Sequence, residues 1–165
     1  MRVATLGSGS RGNSVFVECG QTRFLVDAGF SGSEIARRLE LLDVPPESIQ
    51  AIIVTHEHRD HTAGIGIAAR RWGWPLYLTP ATERACAPLF RGSETVRHYE
   101  GEVSFDLGDV RVHPSSTCHD AADPVALTIL DPETGLKVGV ATDLGRATTP
   151  VRNALAGCHF VILES

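Results

Sequence analysis

The chain of 165 residues is poor in several features that would assign it to a specialised class of protein. None of its four cysteines forms a Cys-x-x-Cys pair, which argues against a zinc knuckle, a redox dithiol or a disulfide framework. No run approaches the ~20 apolar residues that span a bilayer, and no block of like charge predicts disorder. No apolar leader follows Met1, so we expect a cytoplasmic protein that forms one domain over residues 1–165.

Lysine is also scarce, since Lys137 is the one basic residue among 15 that is not an arginine. The net charge of −5 does not indicate a polyanion partner, although arginine is the better bidentate ligand for phosphate. A local basic cluster after folding remains open, and its candidates are Arg59, Arg70, Arg71 and Arg84.

Short apolar runs separated by turn signals predict a mixed α/β chain. In the first half we expect strands over 3–7, 14–19, 23–26, 51–55 and 76–78. Helices are expected from Ser31 or Ser33 up to Pro45, over 63–71 and over 82–90. The second half predicts antiparallel hairpins from strands over 103–105, 110–114, 125–130 and 137–141, then a helix over about 150–155 and the apolar run 160–163.

The sequence His-Glu-His-Arg-Asp-His at 56–61 follows a strand that we expect to be buried. Alternating His56 and His58 in extended backbone can chelate one divalent ion, whereas adjacent Asp60 and His61 diverge from that pair and can bind a second ion. The spacing therefore predicts two metals. His119 and Asp143 each end a predicted strand and can reach the same rim.

Two glycine patterns in the segment 7–13 do not support nucleotide binding. The Gly-x-Gly-x-x-Gly match precedes a strand rather than a helix, and the phosphate-loop match has Asn13 in place of lysine. Three other histidines lack a partner at ligand spacing and are not expected to bind metal: His98, His113 and His159.

Four further segments accompany the motif at 56–61, namely 7–14, Asp27-Ala28-Gly29, 55–58 and 141–145. Together they resemble the metallo-β-lactamase-fold hydrolases, and within them the YycJ/WalJ-like branch. This resemblance implies an αββα sandwich, an α/β fold that some schemes class as α+β. It also implies that the chain forms the N-terminal half to two-thirds of that fold and is incomplete at its C-terminus, because relatives continue and supply a further histidine.

The resemblance also implies roles for individual residues. His56, His58 and His119 would bind the first metal, Asp60 and His61 the second, and Asp143 both. Asp27 would be a structural carboxylate beneath the metal loop. Asp60 and His119 are the expected catalytic residues, and substrate contacts are expected from Ser10, Arg11, Asn13 and Arg59.

For function, the resemblance implies a dinuclear enzyme that cleaves phosphodiesters in DNA as an exonuclease connected with repair, using zinc or manganese. Two adjacent ions lower the pKa of a shared water toward ~7 and supply hydroxide as nucleophile. Three alternatives stay open: a hydrolase of small cyclic phosphodiesters or thioesters, an iron oxidoreductase, and a non-catalytic metal-binding fragment. DNA is the expected partner, without a membrane, and the chain could form a homo-oligomer.

Overall fold

Two β-sheets lie face to face at the centre of the computed structural model, which describes residues 1–164; Ser165 lies outside the described residues. The first sheet runs antiparallel through its first three strands and parallel through the rest. In spatial order its strands are β1 (Arg2–Gly7), β2 (Ser14–Cys19), β3 (Thr22–Val26), β4 (Ala51–Ile53), β5 (Leu76–Leu78) and β6 (Val96–His98).

The second sheet is an antiparallel meander of four strands with a fifth strand added in parallel. Its strands are β7 (Phe105–Leu107), β8 (Val110–Ser116), β9 (Val125–Leu130), β10 (Lys137–Ala141) and β11 (Phe160–Leu163), which lie side by side in this order. The hairpins predicted for this half of the chain are confirmed.

Helices cover the outer face of each sheet. On the first sheet lie α1 (Gly32–Glu40), α2 (Arg59–Thr62), α3 (Ile65–Trp72) and α4 (Pro80–Cys86), and on the second lies α5 (Thr149–Ala156). Ser31, Thr79 and Thr148 cap α1, α4 and α5 by accepting a backbone N–H of the first turn. None of the helices among residues 1–164 has the length and apolar character needed to cross a membrane.

The central strands of the first sheet explain why two separate cores form. In β3, Leu25 packs against the helices, whereas Phe24 and Val26 pack against the second sheet. Strand β4 repeats this division, with Ile52 facing the helices and Ile53 the other sheet. Because successive side chains of a strand point to opposite faces, an all-apolar strand requires cover on both sides. The four layers are therefore helix, sheet, sheet and helix, which confirms the predicted αββα sandwich.

Several predicted element boundaries were wrong. Strand β6 was not predicted, and the strand expected over 103–105 is β7, which begins at Phe105 and ends at Leu107. A two-residue turn at 108–109 joins it to β8. The helix expected over 63–71 is α3, which begins at Ile65 and ends at Trp72, whereas the short α2 before it, which contains Asp60 and His61, was not predicted. The helix expected over 82–90 begins earlier, at Pro80, and ends at Cys86 before a separate 3-10 turn at 87–89.

Candidate metal centre

Three histidines from two loops form a nearly equilateral triangle. His56 and His58 lie in the loop after β4, and His119 lies in the segment 117–124 after β8. Their ring centroids are 4.7 Å (His56 to His58), 4.9 Å (His56 to His119) and 4.7 Å (His58 to His119) apart. Each histidine offers a ring nitrogen, and these nitrogens lie within 4.8 Å of one another. The arrangement suits a single cation at the centre of the triangle.

A second group of possible ligands shares His56 with the first. It adds His61 from α2 and Asp143, which follows β10. Asp143 Oδ2 lies 2.7 Å from His61 Nε2 and 3.7 Å from His56 Nε2. Asp60 Oδ2 lies 3.7 Å from His61 Nε2, outside both groups. The sequence-predicted ligands are thus gathered at one rim of the sandwich, with Asp60 at its margin.

Asp27 lies beneath the histidines, and its carboxylate accepts three hydrogen bonds. Its Oδ1 accepts the Thr55 N–H at 2.8 Å, and its Oδ2 accepts the Thr55 hydroxyl and the His61 Nδ1–H, each at 2.8 Å. The Thr55 hydroxyl, having donated its hydrogen to Asp27, accepts from His56 Nδ1 at 3.0 Å. Both imidazoles therefore carry their proton on Nδ1, which leaves the Nε2 lone pairs directed toward the two ligand groups.

Burial and charge separate the pKa values of these two histidines. Burial, helped by the neighbouring His61, lowers the pKa of His56 to about 4, so its ring is neutral at pH 7. Burial also acts to lower the pKa of His61, but the carboxylates of Asp27, Asp143 and Asp60 outweigh it and raise that pKa to about 9. A positive charge is therefore favoured at His61 Nε2, either as a proton on the ring or as a metal ion bound to it.

The donors at this rim fit a divalent cation. His56 Nε2 is buried and has no hydrogen-bond partner among residues 1–164, and a buried nitrogen of this kind is costly unless something binds it. The 2.7 Å approach of Asp143 Oδ2 to His61 Nε2 also requires a proton or a cation between the two lone pairs. Imidazole nitrogen with carboxylate oxygen suits zinc, manganese and iron.

The four expected substrate contacts divide into one residue at the rim and three away from it. Asn13 Nδ2 lies 2.9 Å from His61 Nε2 and 3.3 Å from Asp60 Oδ2. Ser10, Arg11 and Arg59 are exposed, and their side chains make no hydrogen bond or ion pair with residues 1–164. The structure therefore brings Asn13 alone against the metal ligands, and the roles of the other three stay predictions.

Sequence reasoning missed several residues that hold the centre together. Thr55 relays hydrogen bonds between His56 and Asp27, and its place directly before the first histidine was the available signal. Glu57 Oε1 accepts the N–H of Ala122, which lies 65 residues away, so the sequence offered no signal for this contact. Gly145 passes so close to the segment 117–124 that a Cβ there would lie 2.8 Å from a backbone oxygen.

The remaining histidines and the cysteines take local roles. His98 bonds to Glu83, while His113 contacts Ser104 and the ring of His159 accepts a backbone N–H. These three histidines belong to neither of the ligand groups found among residues 1–164. All four cysteines are free: Cys19 and Cys86 are buried, Cys158 is half-buried and Cys118 is exposed.

The structure is thus a sandwich of two sheets whose loops gather histidines and carboxylates at one rim, where they form a candidate metal centre. The family model of the metallo-beta-lactamase superfamily matches residues 7–156, and the chain belongs to that superfamily. The solved structure of MEM-A1, a subclass B3 metallo-beta-lactamase isolated from a soil metagenome library, has a TM-score of 0.73 at 19% identity. The match covers 97% of this chain and 75% of that one. Because the identity is only 19%, it supports the fold alone.

Two curated relatives carry the same functional name. The chain is 29% identical to exodeoxyribonuclease YycJ of Bacillus anthracis over 168 residues, which covers all of this chain and 62% of that protein. It is 35% identical to exodeoxyribonuclease WalJ of Streptococcus pneumoniae over 127 residues, covering 74% of this chain and 47% of that protein. The chain thus spans about half to two-thirds of the length of these relatives.

Proposed function

We propose that this chain carries the metal-binding site of a phosphodiesterase that degrades DNA from an end with two divalent metal ions. The observation that supports it most is the pair of ligand groups that share His56. The free Nε2 lone pair of His56 can bind a single ion, but Asp143 Oδ2 of the second group lies only 3.7 Å from it. Cations held by the two groups would therefore lie close together, as they do in two-metal phosphodiester hydrolysis. The names of the two curated relatives supply the choice of DNA among the substrates that this fold can hydrolyse.

In this proposal His56, His58 and His119 would hold the first ion, and His61 would hold the second with Asp60 beside it. Asp143, whose Oδ2 lies 3.7 Å from His56 Nε2 and 2.7 Å from His61 Nε2, would contribute to both. Bound divalent ions supply Lewis acidity and lower the pKa of water toward ~7. His56 is ready to bind, because its pKa is lowered to about 4 and its ring needs no deprotonation at neutral pH. His61, whose pKa is raised to about 9, must release its Nε2 proton when the ion binds.

Asp60 and His119 are the proposed catalytic residues at this rim. The Asp60 side chain is 29% exposed, so it can accept a hydrogen bond from an attacking water while Asn13 Nδ2 holds its Oδ2 at 3.3 Å. Exposed Arg11 and Arg59 are proposed to contact phosphate oxygens. With a net charge of −5, the affinity for DNA would depend on these few arginines.

The test is degradation of end-labelled duplex DNA in the presence of Mn²⁺ or Zn²⁺. We expect the wild type to shorten the DNA from one end and His58→Ala to lose this activity. His98→Ala is the matched control, because His98 is an exposed histidine bonded to Glu83 and lies outside both ligand groups. Loss of activity in both variants, or in neither, would contradict the assignment.

The negative net charge favours a second candidate, a hydrolase of small phosphodiesters or thioesters, which needs few basic contacts. Hydrolysis of bis(p-nitrophenyl) phosphate or a thioester at a rate insensitive to salt, with duplex DNA left intact, would favour it. Elemental analysis of the purified protein separates zinc and manganese from iron, and iron would favour an oxidoreductase. The cytoplasmic location, the link to DNA repair and homo-oligomer formation stay predictions.

A further inference from the structure

The segment 117–124 carries His119 but contains neither helix nor strand. Two of its backbone hydrogen bonds are internal, from Thr117 N to Pro124 O and from Ala121 N to His119 O, both 2.9 Å. An isolated bridge between Cys118 and Arg146 ties its beginning to the loop that contains Asp143. A metal ligand on an irregular segment needs further support if it is to be held in one position.

Glu57 supplies a direct link from this segment to the loop of His56 and His58. Its Oε1 accepts the Ala122 N–H at 2.8 Å, and a backbone N–H bonded to a carboxylate is a strong, charge-assisted contact. The backbone of Glu57 is itself held, because its carbonyl oxygen accepts the Thr62 hydroxyl at 3.0 Å. The link therefore joins the segment to a fixed point.

The second oxygen of the same carboxylate is unexpected. Glu57 Oε2 is buried and has no hydrogen-bond partner among residues 1–164. A buried carboxylate oxygen without a hydrogen-bond partner costs free energy, so its presence calls for an explanation. Glu57 stands between His56 and His58 in the sequence, so its backbone belongs to the loop that carries both histidines.

We propose that Glu57 is a positioning residue of the metal centre, which holds the segment 117–124 through the Ala122 N–H so that His119 faces His56 and His58. The inference rests on the proposed metal-dependent function, but it concerns metal binding and not the choice of substrate. Replacement of Glu57 by glutamine separates the hydrogen bond of the carboxylate from its charge, since glutamine keeps an acceptor oxygen and lacks the charge. We assign the main contribution to the hydrogen bond.

The experiment is a titration of the metal-stripped protein with Co²⁺ alone, in which binding is measured by calorimetry and by visible absorption. Glu57→Ala should lower the Co²⁺ affinity about 10- to 100-fold, as losses of groups that orient a ligand do. Glu57→Gln should stay within about threefold of the wild type and keep its absorption spectrum. Asp120→Asn is the matched control for charge, because Asp120 is exposed on the same segment and its side chain makes no hydrogen bond with residues 1–164.

Wild-type affinity in Glu57→Ala would overturn the proposal, and so would an equal loss in Glu57→Gln, since the charge would then be responsible. If Glu57→Ala does not fold, amide hydrogen exchange in the wild type and Glu57→Gln decides instead. There we expect the Ala122 N–H to be protected relative to that of Asp120, and equal exchange would refute the link. A wild type that binds Co²⁺ but leaves DNA intact would contradict the proposed function alone, whereas one that binds no Co²⁺ would overturn this inference too.

Discussion

Replacement of Asp27 by asparagine tests the hydrogen-bond network beneath the metal centre. The Asp27 carboxylate is 1% exposed and accepts three hydrogens, two from Thr55 and one from His61. Its backbone φ of 60° lies in the left-handed region, which asparagine tolerates as well as aspartate. The substitution therefore preserves shape and backbone and changes only the charge and the number of acceptor oxygens.

The expected loss of stability follows from this change in acceptors. An amide has one oxygen, so at least one of the three hydrogens must face an NH₂ group. A buried donor without an acceptor costs about 1–3 kcal/mol, and loss of the carboxylate beside His61 adds to this. We expect the free energy of unfolding to fall by about 2–4 kcal/mol. The Co²⁺ affinity of the group that contains His61 should fall about 10- to 100-fold, because the negative charge that orients the His61 Nδ1–H is lost.

Urea unfolding of the metal-stripped protein at pH 7, followed by circular dichroism, measures the first effect, and a Co²⁺ titration measures the second. Asp106→Asn is the control, because Asp106 pairs with Arg111 at the surface, where such contacts contribute little. A variant Asp27→Asn that unfolds within about 0.5 kcal/mol of the wild type, with an unchanged urea dependence, would refute the role given to this network.

Three further predictions concern backbone packing, protonation and thiol reactivity. Gly29→Ala would place a Cβ 1.6 Å from the Asp60 carbonyl oxygen, so a thermal scan should show Tm lowered by at least about 5 °C. In the metal-free protein the pKa of His61 is raised to about 9. The stabilisation that protonated His61 provides is complete below pH 6.5 and is lost as the pH rises through 9. The free energy of unfolding, measured in urea, should therefore be lower at pH 9.5 than at pH 6 by up to about 3 kcal/mol. Iodoacetamide at pH 8 should label exposed Cys118 at least about 100-fold faster than Cys86, because burial raises the pKa of Cys86 to about 12; equal labelling, read by mass spectrometry, would contradict this.

The fold was predictable where apolar runs and turn residues agree. The run 51–55 predicted a strand buried on both faces, and β4 has this environment because helices cover one face and the second sheet the other. Strand β6 escaped prediction because it is a three-residue edge strand with two exposed residues, and its pairing with β5 alone defines it. The parallel addition of β11 beside β10 depends on packing of α5 against the sheet, which periodicity does not encode.

The candidate site was predictable to the extent that its ligands lie close together in the sequence. The spacing of His56, His58 and His61 predicted ligands for a metal, whereas His119 and Asp143 needed the family resemblance to be joined to them. The contact between Glu57 and Ala122 could not be predicted, because only the packing of the two sheets brings these residues together. Local motifs thus identified the ligands but not the groups that hold them.

His61 connects the two sheets more directly than any ligand motif suggests. Its Nδ1 lies 2.8 Å from Asp27 Oδ2, which follows β3 of the first sheet, and its Nε2 lies 2.7 Å from Asp143 Oδ2, which follows β10 of the second. Both aspartates have left-handed backbones, with φ of 60° and 52°, a conformation that persists only when surrounding contacts fix it. Because a single imidazole is held by one carboxylate from each sheet, the packing of the sheets and the geometry of the metal ligands depend on the same contacts.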